Sequence, residues 1–307
     1  MKQAYQLFIL ISTFLFSGLA WSEVSVTDDL GNTVTLAKPA ERVVTFAPFL
    51  TELVYTVGAQ DKLVATVEYS DYPPEANQLP RIGNYQSVRV ERVLNYQPDL
   101  ILSWDSANNR SQLKQFEKLG IAVYRSEPKG LETIATNLER IGILTGQQQQ
   151  AAKQASAFRQ RWQQLRRTYQ QRPALSVFYQ VWHSPIYTVN GEHLISKVMS
   201  ICGLNNVFAT APILAPKVSK ESVIKHDPQM IIASGMAKAE PQWLEMWQAW
   251  PGLAAVKANN LFFVHPDLIQ RHATRVLDAA QIICEQSEQA RKNLNYNGKF
   301  KKGDQTH

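Results

Sequence analysis

One long segment near the middle of the chain has the composition of a single uninterrupted helix. Residues 147–172, QQQQAAKQASAFRQRWQQLRRTYQQR, contain no Gly or Pro and are rich in the helix formers Gln, Ala, Arg and Leu. Their apolar residues recur three and four positions apart from Ala151 to Tyr169, which indicates one apolar stripe on an amphipathic helix. At 1.5 Å per residue this helix would be roughly 39 Å long, about the width of a domain. We therefore predict a rigid connecting helix between two lobes, residues 23–146 and 173–297.

The segments on either side of this helix resemble each other at an offset of 130 residues. VERVLNYQPDLILSW begins at Val90, and KESVIKHDPQMIIAS begins at Lys220. Each copy predicts a short helix, a stop at Pro and a buried strand. Two unrelated αβ units could share this pattern by chance, but matching residues at one offset favour an internal duplication. The identical positions are Glu91/Glu221, Val93/Val223, Pro98/Pro228 and Ile101/Ile231.

Short apolar runs alternate with helical patterns in both predicted lobes. This alternation predicts an α/β fold of two Rossmann-like lobes, each a mostly parallel sheet flanked by helices, with a ligand cleft between them. VSVTDDLGNTVTLA adds a β-hairpin after residue 23. The predicted strands are Arg42–Ala47, Leu63–Val67, Leu100–Ser103, Ala122–Tyr124, Ser176–Val181, Ile186–Val189 and Leu261–Val264. The principal predicted helices are Thr51–Gly58, Ser111–Leu119, Leu131–Leu144, His193–Ile201, Trp243–Trp250 and Thr274–Leu294, followed by a disordered tail, 298–307.

The first 22 residues have the pattern of a secretory signal peptide. Lys2 supplies the positive charge, Leu7–Leu19 is apolar, and Ala20-Trp21-Ser22 fits a cleavage site before Glu23. The apolar run is short for a membrane span, although a retained N-terminal anchor is the alternative. We expect an exported mature chain that begins near Glu23 and is not inserted in the membrane.

The two cysteines, Cys202 and Cys284, both follow the connecting helix. In an oxidising compartment an even pair within one lobe favours a disulfide, and two buried thiols are the alternative. Such a bond would stabilise the lobe by roughly 4–5 kcal/mol on the chain-entropy model.

The formal charge of +6 is modest, and part of it lies near the C-terminus. A solvated terminus explains this charge better than a nucleic-acid interface, which would need a basic face with base-reading groups. The sequence also lacks a G-x-S-x-G nucleophile elbow, an H-E-x-x-H metal motif, a P-loop and a G-x-G-x-x-G fingerprint. We therefore expect a binding protein, not an enzyme, with no cofactor.

Aromatic side chains follow several predicted strands, where ligands bind in doubly wound lobes. Flat amphipathic side chains suit a large, flat, partly apolar ligand. For any one aromatic, core packing is the alternative. The candidates are Tyr72, Tyr85 and Trp104 in the first lobe and Trp182 and Tyr187 in the second, together with Arg271. All six histidines follow the connecting helix, so a metal site between the lobes is not favoured.

Several motifs of this sequence resemble the periplasmic binding proteins of iron-siderophore, haem and cobalamin ABC importers. They are EYSDYPP (Glu68–Pro74), NYQSVRVERVLNYQPDLILSW (Asn84–Trp104), PKVSKESVIKHDPQ (Pro216–Gln229) and the two cysteines. The resemblance covers nearly the whole mature chain and is strongest to cobalamin-binding members. It implies a periplasmic receptor that captures cobalamin as a transported ligand and delivers it to the two-fold permease of an inner-membrane ABC importer. A haem or ferric-siderophore receptor is the alternative, and we expect a monomer with a largely pre-formed cleft.

The resemblance also assigns roles to individual residues. Tyr72, Tyr85, Trp104, Tyr187 and Arg271 are expected to line the corrinoid cleft. Tyr85 stands where the family pattern has Trp, a change that keeps an aromatic face for packing. Ala215 also stands where the pattern has Trp, so the resemblance implies that one wall is rebuilt, with Trp182 as the candidate replacement. The cysteine pair matches a disulfide of the family. Glu91 and Glu221 match carboxylates that dock onto permease arginines, although an acidic residue also favours a helix N-terminus without any partner.

Overall fold

The computed structural model describes residues 23–235 and 242–303, and the predicted signal peptide lies outside these ranges. Within them the chain forms two α/β lobes joined by a long helix, as predicted. No helix in the described ranges is long and apolar enough to cross a membrane.

The N-terminal lobe contains a hairpin and a four-stranded parallel sheet. The hairpin strands β1 (Val24–Thr27) and β2 (Thr33–Leu36) pair antiparallel, as predicted. The sheet order is β4-β3-β5-β6, and all three pairings are parallel. Its elements are β3 (Val43–Thr45), α1 (Pro48–Thr56), β4 (Leu63–Ala65), α2 (Val90–Leu94), β5 (Leu100–Trp104), α3 (Arg110–Lys118), β6 (Ala122–Ser126) and α4 (Leu131–Leu144).

The connecting helix is followed by a C-terminal lobe with its own parallel sheet, in the order β10-β7-β11-β12. The connecting helix is α5 (Gln148–Tyr169). The strands of this lobe are β7 (Leu175–Gln180), β8 (Trp182–His183), β9 (Ile186–Tyr187), β10 (Leu204–Asn206), β11 (Met230–Ala233) and β12 (Leu261–Phe263). Its helices are α6 (Leu194–Ile201), α7 (Lys220–His226), α8 (Gln242–Gln248), α9 (Ala254–Lys257), α10 (Pro266–Ile269) and α11 (Val276–Gly303).

The two sheets have the same topology, because in each the second strand lies outside the first and the third and fourth follow on the other side. The repeated segments occupy equivalent places. The first forms α2 and β5, the second forms α7 and β11, and both strands lie inside their sheets. This equivalence supports the duplication inferred from the sequence.

The connecting helix packs its apolar stripe into a core that both lobes share. Ala151, Ala155, Phe158 and Leu165 are buried in one cluster with N-lobe strand residues such as Val43 and C-lobe strand residues such as Val177. Because one continuous core crosses the boundary, the lobes are held as a unit and not only tethered by the helix.

Three predictions of local structure differ from the observed elements. The helix predicted from Thr51 begins three residues earlier, at Pro48, because the fixed φ of Pro48 suits the first helical turn after the extended Ala47. The predicted strand Ile186–Val189 is only the short β9, which pairs with β8 in a two-stranded hairpin outside the main sheet. The last helix continues past Leu294 to Gly303, since this segment contains no Pro, so it overlaps the predicted tail.

Candidate ligand cleft

The loop that follows β4 is held in place by buried hydrogen bonds. The Thr66 hydroxyl lies 2.8 Å from each of the hydroxyls of Thr45, Thr51 and Ser70, and all four residues are fully buried. Arg81 donates to the Ser70 carbonyl at 2.8 Å. These bonds fix the start of the segment that carries Asp71 and Tyr72.

Asp71 and Tyr72 lie against two arginines of the C-terminal lobe. Asp71 Oδ1 lies 2.7 Å from Arg271 Nη2. The guanidinium carbon of Arg275 lies 3.6 Å from the centroid of the Tyr72 ring, which is a cation–π contact. The peptide bond between Tyr72 and Pro73 is cis. The structure therefore brings two predicted site residues, Tyr72 and Arg271, to one place at the lobe boundary.

Glu52 of α1 is buried and forms ion pairs with the same two arginines. Its Oε1 accepts from Arg271 Nη1 at 3.0 Å and from Arg275 Nη2 at 2.6 Å, and its Oε2 accepts from Arg275 Nε at 2.9 Å. Asp267 accepts from Arg271 Nη2 at 3.0 Å. A buried carboxylate is retained because paired, hydrogen-bonded charges offset the cost of desolvation.

The electrostatics of this cluster keep Arg271 charged. Burial lowers its pKa, but the hydrogen bond to Asp71 and the charges of Asp267 and Glu52 outweigh burial and raise it. The guanidinium is therefore a permanent positive charge whose hydrogen-bond partners are all carboxylates.

Glu52 and Arg275 were not predicted as site residues, although each has a feature that stands out in the sequence. Glu52 is the only charged residue of α1, and Arg275 is a second arginine four residues after Arg271. Neither feature identifies the partner, because the partners are more than 200 residues apart.

A second group of side chains forms the aromatic part of the boundary. Trp104 at the end of β5 lies near Phe49, Tyr85 and His272, with ring centroids 5.6, 6.5 and 5.3 Å apart. Asn108 orders two of these residues: its side chain accepts from the Trp104 backbone N–H at 2.6 Å and donates to the Tyr85 carbonyl. The predicted residues Tyr85 and Trp104 are thus adjacent, and His272 of the other lobe faces them.

His272 is a neutral imidazole in this environment. Burial, with a smaller effect of the charge of His193, lowers the pKa of His272 to about 3. Trp104 Nε1 and His272 Nδ1 are buried without a hydrogen-bond partner among the described residues. Two polar ring atoms at the aromatic part of the boundary are therefore buried without a hydrogen bond from the described residues.

The remaining predicted ligand residues lie in the β8–β9 hairpin of the C-terminal lobe. Trp182 and Tyr187 are directly opposite each other in this hairpin. Trp182 follows β7 as predicted, begins β8 and packs against Trp243, with ring centroids 5.1 Å apart. Among the described residues no ring contact joins this hairpin to the Tyr85–Trp104 group. The position of Trp182 and Tyr187 in the ligand cleft therefore stays a prediction.

The segment before Pro216 borders the same hairpin. The Thr188 N–H donates to the Pro216 carbonyl at 3.0 Å, and the Asn190 N–H donates to the Leu214 carbonyl at 2.9 Å. Ile213 and Leu214 are exposed, as is Ala215, where the sequence departs from the family pattern. Apolar surface thus adjoins the position that lacks the expected Trp.

Glu91 and Glu221 occupy equivalent, exposed positions in the first turns of α2 and α7. Neither carboxylate forms a salt bridge within the described parts of the chain. The backbone N–H of Glu221 and the hydroxyl of Ser219 stabilise the Glu221 carboxylate by hydrogen bonding and lower its pKa. Both side chains are exposed and therefore accessible to a partner.

Cys202 and Cys284 form a disulfide between the end of α6 and α11, with Cα atoms 4.7 Å apart. The predicted pairing is present. It links two helices of the C-terminal lobe across 82 residues of sequence.

The described histidines serve mainly as local hydrogen-bonding groups. The side chains of His193 and His265 accept from backbone N–H groups at the starts of α6 and α10. His226 ends α7 and lies 2.8 Å from the Ser222 carbonyl. No group of three or more His, Cys, Asp or Glu side chains in the described residues could hold a metal ion.

Comparison with known proteins agrees with this architecture. A family model described as periplasmic binding protein matches residues 43–268. The chain belongs to the periplasmic binding protein family. Among its relatives in that family, the vitamin B12-binding protein of Vibrio cholerae serotype O1 is 39% identical over 252 residues, which is 81% of this chain and 90% of that protein.

Solved structures of periplasmic binding proteins have the same fold as this chain. The crystal structure of the periplasmic vitamin B12 binding protein BtuF of Vibrio cholerae matches with a TM-score of 0.77 at 38% identity, over 83% of this chain and 99% of that chain. The periplasmic heme-binding protein RhuT from Roseiflexus matches with a TM-score of 0.72 at 17% identity, over 82% and 99% of the two chains. This second likeness shows a shared fold only.

Proposed function

We propose that this protein is a non-enzymatic receptor that binds vitamin B12 in the cleft between its lobes and delivers it to an inner-membrane ABC importer. The observation that carries the proposal is the 39% identity to the vitamin B12-binding protein of Vibrio cholerae over most of both chains. The agreement with the BtuF structure of that organism over 99% of its length supports it. The heme-binding neighbour is less than half as identical in sequence.

The proposed binding surface combines both lobes. Tyr72, Tyr85 and Trp104 would contribute from the N-terminal lobe, and Trp182, Tyr187 and Arg271 from the C-terminal lobe. Aromatic faces favour a large flat ring, because they bury apolar area at little cost in side-chain entropy. The close contacts of Tyr72, Tyr85 and Trp104 at the lobe boundary support this assignment.

The proposed compartment is the periplasm. We infer that residues 1–22 are a signal peptide cleaved near Ser22 and Glu23, and that the mature protein acts as a monomer. The disulfide between Cys202 and Cys284 supports an oxidising compartment. We infer the lobe boundaries at 23–146 and 173–297, because the described connecting helix covers most of residues 147–172.

Calorimetric titration of the mature chain with cyanocobalamin, haemin and a ferric siderophore tests the proposed ligand. We expect saturable binding of cyanocobalamin with one site per chain. Absence of heat with cyanocobalamin, together with saturable binding of haemin or the siderophore, would reject the proposed ligand and leave the fold unaffected.

A pair of variants locates the binding surface. Tyr187→Ala should weaken cyanocobalamin binding, by about tenfold for loss of one stacked ring. Tyr96→Ala, a partly buried tyrosine after α2, serves as the control and should keep the wild-type affinity. Equal affinities of the two variants would remove Tyr187 from the site.

A further inference from the structure

The two arginines at the lobe boundary are outnumbered by carboxylates. Arg271 forms ion pairs with Glu52, Asp71 and Asp267. Arg275 also forms an ion pair with Glu52. Three carboxylates minus two guanidinium groups give these five side chains a formal charge of −1, and the guanidinium of Arg81, whose charge interacts with Asp71, brings the total to zero. A site built to bind an anionic ligand would instead show an excess of positive charge, as clusters of Arg around carboxylate and phosphate groups do.

The side chains of the cluster differ in exposure, from buried Glu52 to the half-exposed aspartates. The Glu52 side chain is 2% exposed and the Arg271 side chain 12%, whereas Asp71 and Asp267 are 49% and 43% exposed. The positive charges therefore lie behind the two aspartates. A ligand that approaches the cluster from solvent meets carboxylate oxygens first.

The hydrogen-bonding capacity of Arg271 is largely used within the protein. Its Nη1 donates to Glu52, and its Nη2 lies within 3.0 Å of both Asp71 and Asp267. A ligand carboxylate would have to displace one of these aspartates or lie beside it as a like charge, which is unfavourable. A ligand amide has N–H donors that the outer carboxylate oxygens can accept directly, which an ionised carboxylate lacks.

We propose that Asp71 and Asp267 determine the charge specificity of the cleft. They admit a ring whose edge carries neutral amide groups and exclude a ring whose edge carries carboxylates. This inference rests on the proposed function, because it concerns how the same cleft selects among tetrapyrrole-like rings.

The test compares two corrinoids that differ at the ring edge. Dicyanocobinamide carries amides there, and dicyanocobyrinic acid carries free carboxylates, while the corrin ring, the cobalt and the cyanide ligands are the same. The wild-type protein should bind dicyanocobinamide more tightly by about a hundredfold. In the variant Asp71→Asn with Asp267→Asn, affinity for the acid should rise by about tenfold or more, so the ratio of the two affinities should fall by at least that factor.

A matched control separates a local effect from an effect of net charge. Asp278→Asn with Glu117→Gln removes two carboxylates of similar exposure that pair with Arg161 and Arg125 instead. This control should retain the wild-type preference. Raising the salt concentration should reduce the wild-type preference for dicyanocobinamide over dicyanocobyrinic acid. The ratio of the two affinities should depend less on salt in the Asp71→Asn/Asp267→Asn variant.

Three results would overturn the inference: equal wild-type affinity for the two corrinoids, no gain for the acid in the double variant, or an equal gain in the control. Haemin and haemin dimethyl ester provide a second pair that differs only in charge. A protein that binds neither cyanocobalamin nor dicyanocobinamide would refute the proposed function. A preference for the ester that Asp71→Asn/Asp267→Asn abolishes would still support the charge selection.

Discussion

Four buried hydroxyl groups in the N-terminal lobe hold the loop that carries Asp71 and Tyr72. Thr66 is their centre, because its hydroxyl is within 2.8 Å of three others. Leaving a buried hydroxyl without a partner lowers the free energy of unfolding by more than one hydrogen bond raises it. Loss of one hydroxyl from such a network therefore destabilises the fold. The position of Tyr72 over Arg275 therefore depends on a residue that does not contact the cleft.

Replacing Thr66 by Val tests this dependence. The change keeps the shape of the side chain and removes the central hydroxyl, so the free energy of unfolding should fall by about 1–3 kcal/mol. Affinity for cyanocobalamin should fall as well, because the loop loses its anchor. Urea unfolding and calorimetry measure the two effects.

Thr35→Val is the control for that substitution. Thr35 also makes a hydroxyl hydrogen bond, 3.1 Å from Ser25, but on the exposed face of the hairpin. Its loss should change the free energy of unfolding by less than about 0.5 kcal/mol. If Thr66→Val has no larger effect than Thr35→Val, the buried network is not what holds the loop.

His272 makes the stability of the protein depend on pH. Its folded pKa of about 3 lies below the value of about 6.5 for an unperturbed histidine. Between these two values the unfolded chain binds more protons than the folded chain. The contribution of His272 is therefore complete above about pH 6.5 and is lost progressively as the pH falls towards 3.

We expect the free energy of unfolding to fall by on the order of 2 kcal/mol between pH 7 and pH 5 because of His272. His272→Phe keeps a ring beside Phe49 and Trp104, and it should remove this part of the pH dependence. His193, whose burial lowers its pKa to about 4, should leave a residual dependence. Urea unfolding at both pH values measures the difference.

Thr35→Val, which changes no titratable group, supplies the reference for that comparison. It should unfold with the same pH dependence as the wild type. A His272→Phe variant that loses as much stability as the wild type between pH 7 and pH 5 would contradict the assignment.

At the scale of elements, the joint between α4 and α5 depends on one glycine. A Cβ atom added at Gly142 would lie 2.1 Å from Ala151 Cβ and 3.2 Å from the Gln147 carbonyl oxygen. Two helices approach this closely only where one of them lacks a side chain. Arg159 then ties the same pair of helices with ion pairs to Glu132 and Glu139.

Gly142→Ala should therefore destabilise the protein although alanine favours helix. The overlap with Ala151 should lower the free energy of unfolding by about 1–3 kcal/mol. Gly252→Ala is the control, because no atom lies within 4 Å of the added methyl group. Thermal unfolding of the two variants measures the difference, and a Gly142→Ala variant as stable as Gly252→Ala would show that the joint can relax.

The elements themselves were largely predictable because their signals are local. The helix Leu131–Leu144 has its predicted bounds, and the connecting helix is shorter than predicted by one residue at its start and three at its end. The start of α1 was predicted at Thr51 and not at Pro48, because a proline can both end a strand and begin a helix. Only the extended backbone of Ala47 distinguishes the two cases.

The site was less predictable than the fold because its contacts are remote in sequence. Tyr72, Tyr85, Trp104 and Arg271 could be identified as a set. The position of Arg271 depends on Glu52, which lies 219 residues away in the sequence, and no periodicity or spacing connects these two positions. Tertiary packing brings them together, and packing is what a single sequence specifies least directly.

At the scale of the whole molecule, the shared core and the Glu52 ion pairs fix the two lobes relative to each other. Large hinge motions need an interface with few contacts, and this boundary is buried and charge-paired. The equivalent residues Glu91 and Glu221 are therefore carried at a constant separation. A constant separation suits docking onto a partner with two-fold symmetry, which offers the same surface twice.

This arrangement predicts that the two glutamates act in delivery and not in capture. Glu91→Ala with Glu221→Ala should abolish vitamin B12 uptake by cells that depend on this receptor, because rim carboxylates guide and register docking. Calorimetry should find the affinity for cyanocobalamin unchanged. Glu117→Ala with Glu192→Ala, which removes one exposed glutamate from each lobe, should leave uptake intact. Reduced affinity in the Glu91/Glu221 variant would place the two residues in ligand binding, and normal uptake would exclude them from docking.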